Sequence, residues 1–188
     1  VPADPLTART LFTDYLAGRE FDPEETVVVS PDMGRAESAA RFAANLKLPV
    51  ATASKTRISD TKVEIGGLIR RQVRGFREAL VYDDEIATGG SVVGLSKMLV
   101  ESGIERIRLI CTHGLFLGNA LERMASIPQI EEIVTTDTVY IPPEKQPPNM
   151  HILSVAPIIG EAIYRNYTHQ SINELFSFGD DPDYKEEL

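Results

Sequence analysis

An open α/β fold with a parallel sheet and flanking helices is predicted for this chain by three observations. Short apolar or β-branched runs alternate along it with amphipathic stretches of helical period. Several of those runs end on an acid or a hydroxyl, and glycines stand where one kind of stretch gives way to the other. Alternation of this kind implies right-handed crossovers and a parallel sheet covered by helices. The 188 residues suit one such domain, or a domain and a half, with a substantial core.

Residues 1 to 25 contain two helix-like pieces, with Asp4-Pro5 as a start and Gly18 as a stop. Thr26 to Ser30 is β-branched and reads as a buried strand. Asp32-Met33-Gly34-Arg35 forms the next turn, and a helix follows with Ala36, Ala39, Ala40, Ala43 and Leu46 on one face. Leu48 to Ala53 is a second strand. Ser54 to Lys62 lacks apolar periodicity and reads as an exposed, mobile loop. Val63 to Arg77 fits strand or helix; short strands are the preferred reading. Ala79 to Tyr82 is a buried strand, and Val92 to Glu101 a helix that Gly103 caps. Ile107 to Thr112 is a strand, Asn119 to Ala125 a short helix, and Ile130 to Thr136 a strand with Asp137 at its end. Paired prolines at 142–143 and 147–148 frame a polar loop. Ile152 to Val155 is the last strand, and Pro157 suits the first turn of a helix reaching Tyr167. One domain over residues 1–178 is expected, with a disordered acidic tail at 179–188.

Composition excludes several function classes. A net charge of −9 argues against nucleic-acid binding. No apolar run approaches the roughly 20 residues that span a bilayer, so no membrane role is expected. Cys111 is the only cysteine and has no partner in the chain, which points to a cytoplasmic protein with a buried, inert thiol. The chain opens on Val1 rather than methionine, which suggests a piece of something longer.

Chemistry concentrates between Glu78 and Gly103. The Ala79–Tyr82 strand runs into the adjacent acids Asp83 and Asp84, then the turn Thr88-Gly89-Gly90-Ser91, then a helix. Ionised carboxylates only accept hydrogen bonds, so two adjacent ones suit neighbouring hydroxyls. A glycine turn opening onto a helix N-terminus is a phosphate seat. Diol at one end and phosphate at the other describe a phosphorylated sugar. Asp32, Lys55, Asp83-Asp84 and Thr112-His113 stand at or near strand ends that a parallel sheet would gather on one rim.

The run from Ala79 to Ser91 resembles the phosphoribosyl-pyrophosphate-binding loop of type I phosphoribosyltransferases and ribose-phosphate pyrophosphokinases. Other segments favour the second family: Val27 to Gly34, Lys55-Thr56-Arg57, Thr112-His113-Gly114 with Phe116 and Gly118, Thr136-Asp137-Thr138, Leu153 to Pro157, and Ser171 to Phe176. The resemblance covers about residues 1 to 178. It implies a type I phosphoribosyltransferase-like fold and transfer of pyrophosphate from ATP to ribose 5-phosphate, giving phosphoribosyl pyrophosphate and AMP. It further implies that Asp83 and Asp84 hold the ribose hydroxyls, that Ala87 lies beside the sugar, and that Thr88, Gly89, Gly90 and Ser91 hold the 5-phosphate. Asp32 would help position Mg2+. Lys55 and Arg57 would be catalytic, closing over the triphosphate. A homo-oligomer is implied, with an allosteric nucleotide site between subunits that involves Ser171, Asn173 and Phe176.

Each assignment has an ordinary counterpart. Lys55 and Arg57 also read as a solvated loop, and Asp32 as the start of the following helix. His113 reads as a satisfied structural histidine, His151 and His169 as surface residues, and Arg70, Arg71 and Arg74 as solvated or at a subunit contact. Three departures stand out. Ala87 replaces the usual Asp of the pyrophosphokinases, Arg35 replaces the second glycine after Ser-Pro-Asp, and the family's N-terminal half is missing. Arg35 would either obstruct the loop or contact phosphate. The missing half carries much of the ATP surface, so this chain alone should hold ribose 5-phosphate better than ATP and show little activity. Ala87 and Arg35 motivate a further reading, a non-catalytic regulatory subunit, and Ala87 favours another, a nucleobase phosphoribosyltransferase, though no base-binding segment is recognisable.

Overall fold

A computed structural model describes residues 6–53, 55–59, 62–65, 67–172 and 175. The Asp4-Pro5 helix start, Asn173, Phe176 and the 179–188 tail lie outside them. Eight strands are described: β1 (Thr26–Ser30), β2 (Val50–Thr52), β3 (Lys55–Ser59), β4 (Lys62–Ile65), β5 (Glu78–Ile86), β6 (Arg106–Gly114), β7 (Ile130–Thr136) and β8 (Met150–Leu153). The helices are α1 (Arg9–Leu16), α2 (Ala36–Leu46), α3 (Gly67–Gln72), α4 (Gly90–Glu101), α5 (Ala120–Ala125) and α6 (Ala156–Tyr167).

Six strands form one sheet in the order β2-β1-β5-β6-β7-β8, every neighbouring pair parallel. The predicted parallel sheet with flanking helices is therefore what the chain builds. From β1 the chain steps outward to β2, then returns past β1 to lay down β5 on its other side. The direction of winding reverses between β1 and β5. In open α/β sheets ligands bind outside the strand C-termini at such a reversal.

Alternate residues of a strand face opposite sides of a sheet, and both sides here are apolar. Phe12, Leu16 and Phe42 of α1 and α2 cover Val28, Leu80, Ile110 and Val134. Ile69, Leu95, Leu99 and Met124 cover Val27, Val81, Leu109 and Ile133 on the other side. Each such fully buried side chain stabilises the fold by about 1.5–3 kcal/mol. Phe42 also stacks on Tyr82 at 4.3 Å.

A charged cluster ties α1 to the sheet. The Glu132 carboxylate accepts from Tyr15 (2.7 Å), Arg19 (2.7 Å) and Arg108 (3.0 Å), and Arg108 also pairs with Glu78. Burial pushes the Glu132 pKa up, but the bonds from Arg19 and Tyr15 and the nearby guanidinium charges outweigh it and lower it to about 2.

Three local expectations are corrected. Residues 55–59 and 62–65 form an antiparallel pair, with Lys55 opposite Ile65 and Arg57 opposite Val63, where a loop was expected over 54–62. Backbone pairing between segments carrying Thr56, Ile58, Val63 and Ile65 needs no apolar periodicity. Where short strands were preferred over 63–77, β4 is followed by helix α3, whose Ile69 is buried along with Val73 just past its end, four residues on. That spacing is helical. The central strand does not stop at Tyr82. It continues to Ile86 because β6 offers partners opposite Asp83, Glu85 and Ile86. Of the two helix-like pieces expected before Glu25, the described residues contain α1. On α2 the buried face holds Ala39, Phe42 and Ala43, while Ala40, expected on it, is exposed. Gly103, expected as a cap, has φ +101 and closes α4 with Ile104 N–H bonded to the Leu99 carbonyl at 3.1 Å. Among the described residues no helix is long and apolar enough to cross a membrane.

Candidate functional site

A cleft of about 400 Å3 opens at the C-terminal ends of β1 and β5, where the winding reverses. Pro31, Asp32 and Arg35 line one side, and the continuous run from Asp83 to Val92 lines the other. The sequence-predicted residues Asp32, Asp83, Asp84, Ala87, Thr88, Gly89, Gly90 and Ser91 are thus brought together.

The turn is held open at its floor by glycine. Gly89 has φ +70, a region that L side chains rarely adopt, and a Cβ there would lie 2.8 Å from Met124 Cε. Gly90 begins the twelve-residue α4, whose first-turn N–H groups have no acceptor within the helix. They can converge on an anion, where the helix dipole favours negative charge. The turn's other side is anchored by backbone bonds that the sequence did not reveal. Leu115 and Phe116 N–H donate to the Ile86 carbonyl (3.0 and 3.1 Å), Leu117 N–H to Ala87 (2.9 Å), and Arg123 Nη1 to Thr88 (3.3 Å). Nothing in the local pattern marks Arg123, because it reaches the turn from α5.

The acids carry unequal environments. Burial, together with the adjacent Asp84 carboxylate and the charge of Asp32, pushes the Asp83 pKa up to about 7. Asp83 Oδ1 accepts the Asp84 N–H at 2.9 Å. Asp84 forms an ion pair with Arg35, which also lines the cleft. Asp32 begins the short 3-10 turn Met33–Arg35: its Oδ1 accepts the Arg35 N–H at 3.2 Å, and its carbonyl accepts from Ser30 Oγ at 2.8 Å. Asp32 thus starts the 3-10 turn that leads into α2, whose own N-cap is Arg35.

Among the described residues no three His, Cys, Asp or Glu side chains converge to cage a metal ion. Mg2+ commonly takes only one or two carboxylates and completes its shell with water and substrate phosphates. Asp32, lining the cleft with a second carboxylate oxygen beyond its cap, fits that role. Asp84, already engaged by a guanidinium, fits it poorly.

A smaller cavity of about 230 Å3 shares Arg35, Asp83 and Asp84 with the cleft and adds Thr112 and His113. His113 Nδ1 lies 2.9 Å from Thr138 Oγ1, and the Thr136 and Thr138 hydroxyls donate to the Thr112 carbonyl. Asp137 Oδ1 accepts from Val155 N–H at 2.8 Å, ahead of α6. These residues brace the rim. Cys111 is buried and free, and burial pushes its thiol up to about 12, so it is inert. Arg70 pairs with Glu101 on the surface.

Three predicted groups are not drawn into the cleft by what is described. Lys55 and Arg57 stand two apart on β3, outside the main sheet, and their side chains lie beyond the described atoms. Ser171 is exposed, and its carbonyl accepts from Arg165 Nη1 at 3.1 Å.

Comparison with known proteins places the chain among relatives. The family model described as phosphoribosyl synthetase-associated domain matches residues 69–177. The chain is 40% identical over 176 residues to a ribose-phosphate pyrophosphokinase of Rhodopirellula baltica, covering 94% of this chain and 55% of that protein. A solved phosphoribosylpyrophosphate synthetase from Mycobacterium smegmatis superposes with a TM-score of 0.73 at 31% identity, over 86% of this chain and 51% of the other. An adenine phosphoribosyltransferase from Thermoanaerobacter pseudethanolicus shares the fold alone, with a TM-score of 0.50 at 17% identity, over 68% of this chain and 76% of that one. The chain spans about half the length of the curated relatives it matches.

Proposed function

We propose that this chain, which belongs to the phosphoribosyl synthetase-associated domain family, is the ribose 5-phosphate-binding half of a ribose-phosphate pyrophosphokinase. Such an enzyme moves pyrophosphate from ATP to the anomeric hydroxyl of ribose 5-phosphate, releasing AMP. The observation that carries this reading is the cleft at the β1–β5 reversal, with carboxylates at one end and an open helix N-terminus at the other.

The 5-phosphate would sit on Thr88, Gly89, Gly90 and Ser91, held by N–H groups and hydroxyls. The ribose hydroxyls would donate to Asp83 and Asp84. Ala87 offers no acceptor there, so the sugar loses a charge-assisted bond worth about 1.5–3 kcal/mol. Asp32 would position Mg2+, which supplies charge neutralisation on phosphate oxygens when bound. Lys55 and Arg57 would lie against the triphosphate and stabilise the charge that develops on it. ATP would bind mainly through chain beyond this one, in a homo-oligomer. Ser171, Asn173 and Phe176 would contribute to a regulatory nucleotide site.

A coupled assay for AMP release by the full-length protein tests the reading, with ATP, ribose 5-phosphate, magnesium and phosphate present. Lys55→Ala should lower the rate on the order of 10²–10³-fold, as for loss of comparable oxyanion contacts. No AMP release from the native protein would overturn the assignment. Consumption of phosphoribosyl pyrophosphate with a free nucleobase would replace it.

A further inference from the structure

We propose that residues 115–117 and Arg123 form an outer clamp on the phosphate turn, which makes Phe116 and Arg123 positioning residues for the 5-phosphate. The inference rests on the ribose 5-phosphate reading and concerns how the seat is set before a ligand arrives.

Three consecutive carbonyls of the turn are held from the same outer side. Ile86 accepts from the N–H groups of Leu115 (3.0 Å) and Phe116 (3.1 Å), Ala87 from Leu117 N–H (2.9 Å), and Thr88 from Arg123 Nη1 (3.3 Å). The peptides are trans and planar, so each N–H points opposite the carbonyl of its own peptide unit. Fixing those carbonyls turns the N–H groups of Ala87, Thr88 and Gly89 away from the clamp. None of the three donates to another group among the described residues. All three residues line the cleft, whereas the clamp residues stand outside it. Successive N–H groups facing one way make an anion-binding concavity, and this one continues into the first turn of α4 at Gly90.

The clamp is bought with backbone strain. Phe116 is buried at φ +44, a left-handed conformation that a residue with a Cβ resists. The bend brings the N–H groups of residues 115–117 onto two successive carbonyls. Its ring folds back over Gly114, where a Cβ would collide with it and stand 2.7 Å from Thr135 Oγ1. Strain of this kind persists where the surrounding packing over-determines it, and it concentrates at ligand clamps. Carbonyls tied down in advance leave less to be ordered when phosphate binds.

Steady-state AMP release by the full-length protein, with ribose 5-phosphate and ATP varied in turn, tests the proposal. The 5-phosphate lies away from the anomeric centre where bonds change, so its contacts act equally on ground and transition states. Arg123→Met, a surface change that keeps side-chain length, should raise KM for ribose 5-phosphate about threefold. It should leave kcat, KM for ATP and the melting temperature unchanged. Gly114→Ala, which displaces the Phe116 ring, should raise the same KM about tenfold. If that buried change unfolds the protein, Arg123→Met decides alone. An unchanged KM for ribose 5-phosphate in either folded variant overturns the proposal and leaves the sugar-phosphate reading standing. So does a lower melting temperature in Arg123→Met with equal losses in kcat and both KM values, the mark of a merely structural role. No AMP release by the native protein overturns both readings together.

Discussion

Gly89 and Gly90 are neighbours in the sequence but are held to different standards by the fold. A Cβ on Gly89 would meet Met124 Cε at 2.8 Å and Ala120 Cβ at 3.4 Å, at a φ of +70. A Cβ on Gly90 would meet only Thr88 Oγ1, at 3.8 Å. Gly89→Ala should therefore cost about 1–3 kcal/mol through overpacking and backbone strain, visible as a lower calorimetric melting temperature. Gly90→Ala should melt like the native protein. Equal melting of the two variants would refute the packing argument. The paired glycines and paired acids were legible in the sequence as a phosphate-and-diol pattern. Which glycine is irreplaceable was not, because Met124 comes from α5, more than thirty residues on. Arg35 is a parallel case: its sequence position suggested obstruction or phosphate contact, and only the approach of β1 to β5 sets it against Asp84.

At the scale of elements, the unit that matters is β5, the turn and α4, braced from outside by residues 115–117 and Arg123. Arg123 contributes one exposed bond, to the Thr88 carbonyl at 3.3 Å. A net hydrogen bond is worth about 0.5–1.5 kcal/mol, so Arg123→Ala should weaken ribose 5-phosphate binding by roughly threefold. The melting temperature should hardly change, since the bond lies on the surface. A fall in stability without a fall in affinity, measured by parallel calorimetry and melting, would show that Arg123 supports α5 instead of the turn. Element existence was read correctly for β1, α2, α4, α5, β7 and α6, where apolar spacing is strong. The β3–β4 pairing was missed because its mixed polar sequence carries no burial pattern. The length of β5 was missed because its last four residues are held by pairing to β6, which no local composition reports.

Across the whole molecule, two faces of one sheet are covered, and beneath one of them Glu132 anchors Tyr15, Arg19 and Arg108. Its folded pKa, about 2, lies below the ordinary value of 4.5. A lowered folded value means that Glu132 stabilises the protein at pH above its unfolded pKa. That contribution should fade as pH falls from about 4.5 towards 2, and Glu132→Gln should flatten the stability profile over that window in acid titrations followed by circular dichroism. An unaltered profile would show that the cluster is not what acid dismantles first. The alternation of strand and helix, the glycine turn behind two acids, the inert thiol and the family likeness were all determined by the sequence itself, since each depends on residue type within a short window. The order of the strands, the winding reversal that opens the cleft, the raised pKa of Asp83, the Arg35–Asp84 pair and the Arg123 brace were decided only in three dimensions. Each of those depends on atoms brought close from distant parts of the chain, and burial and charge act through that proximity.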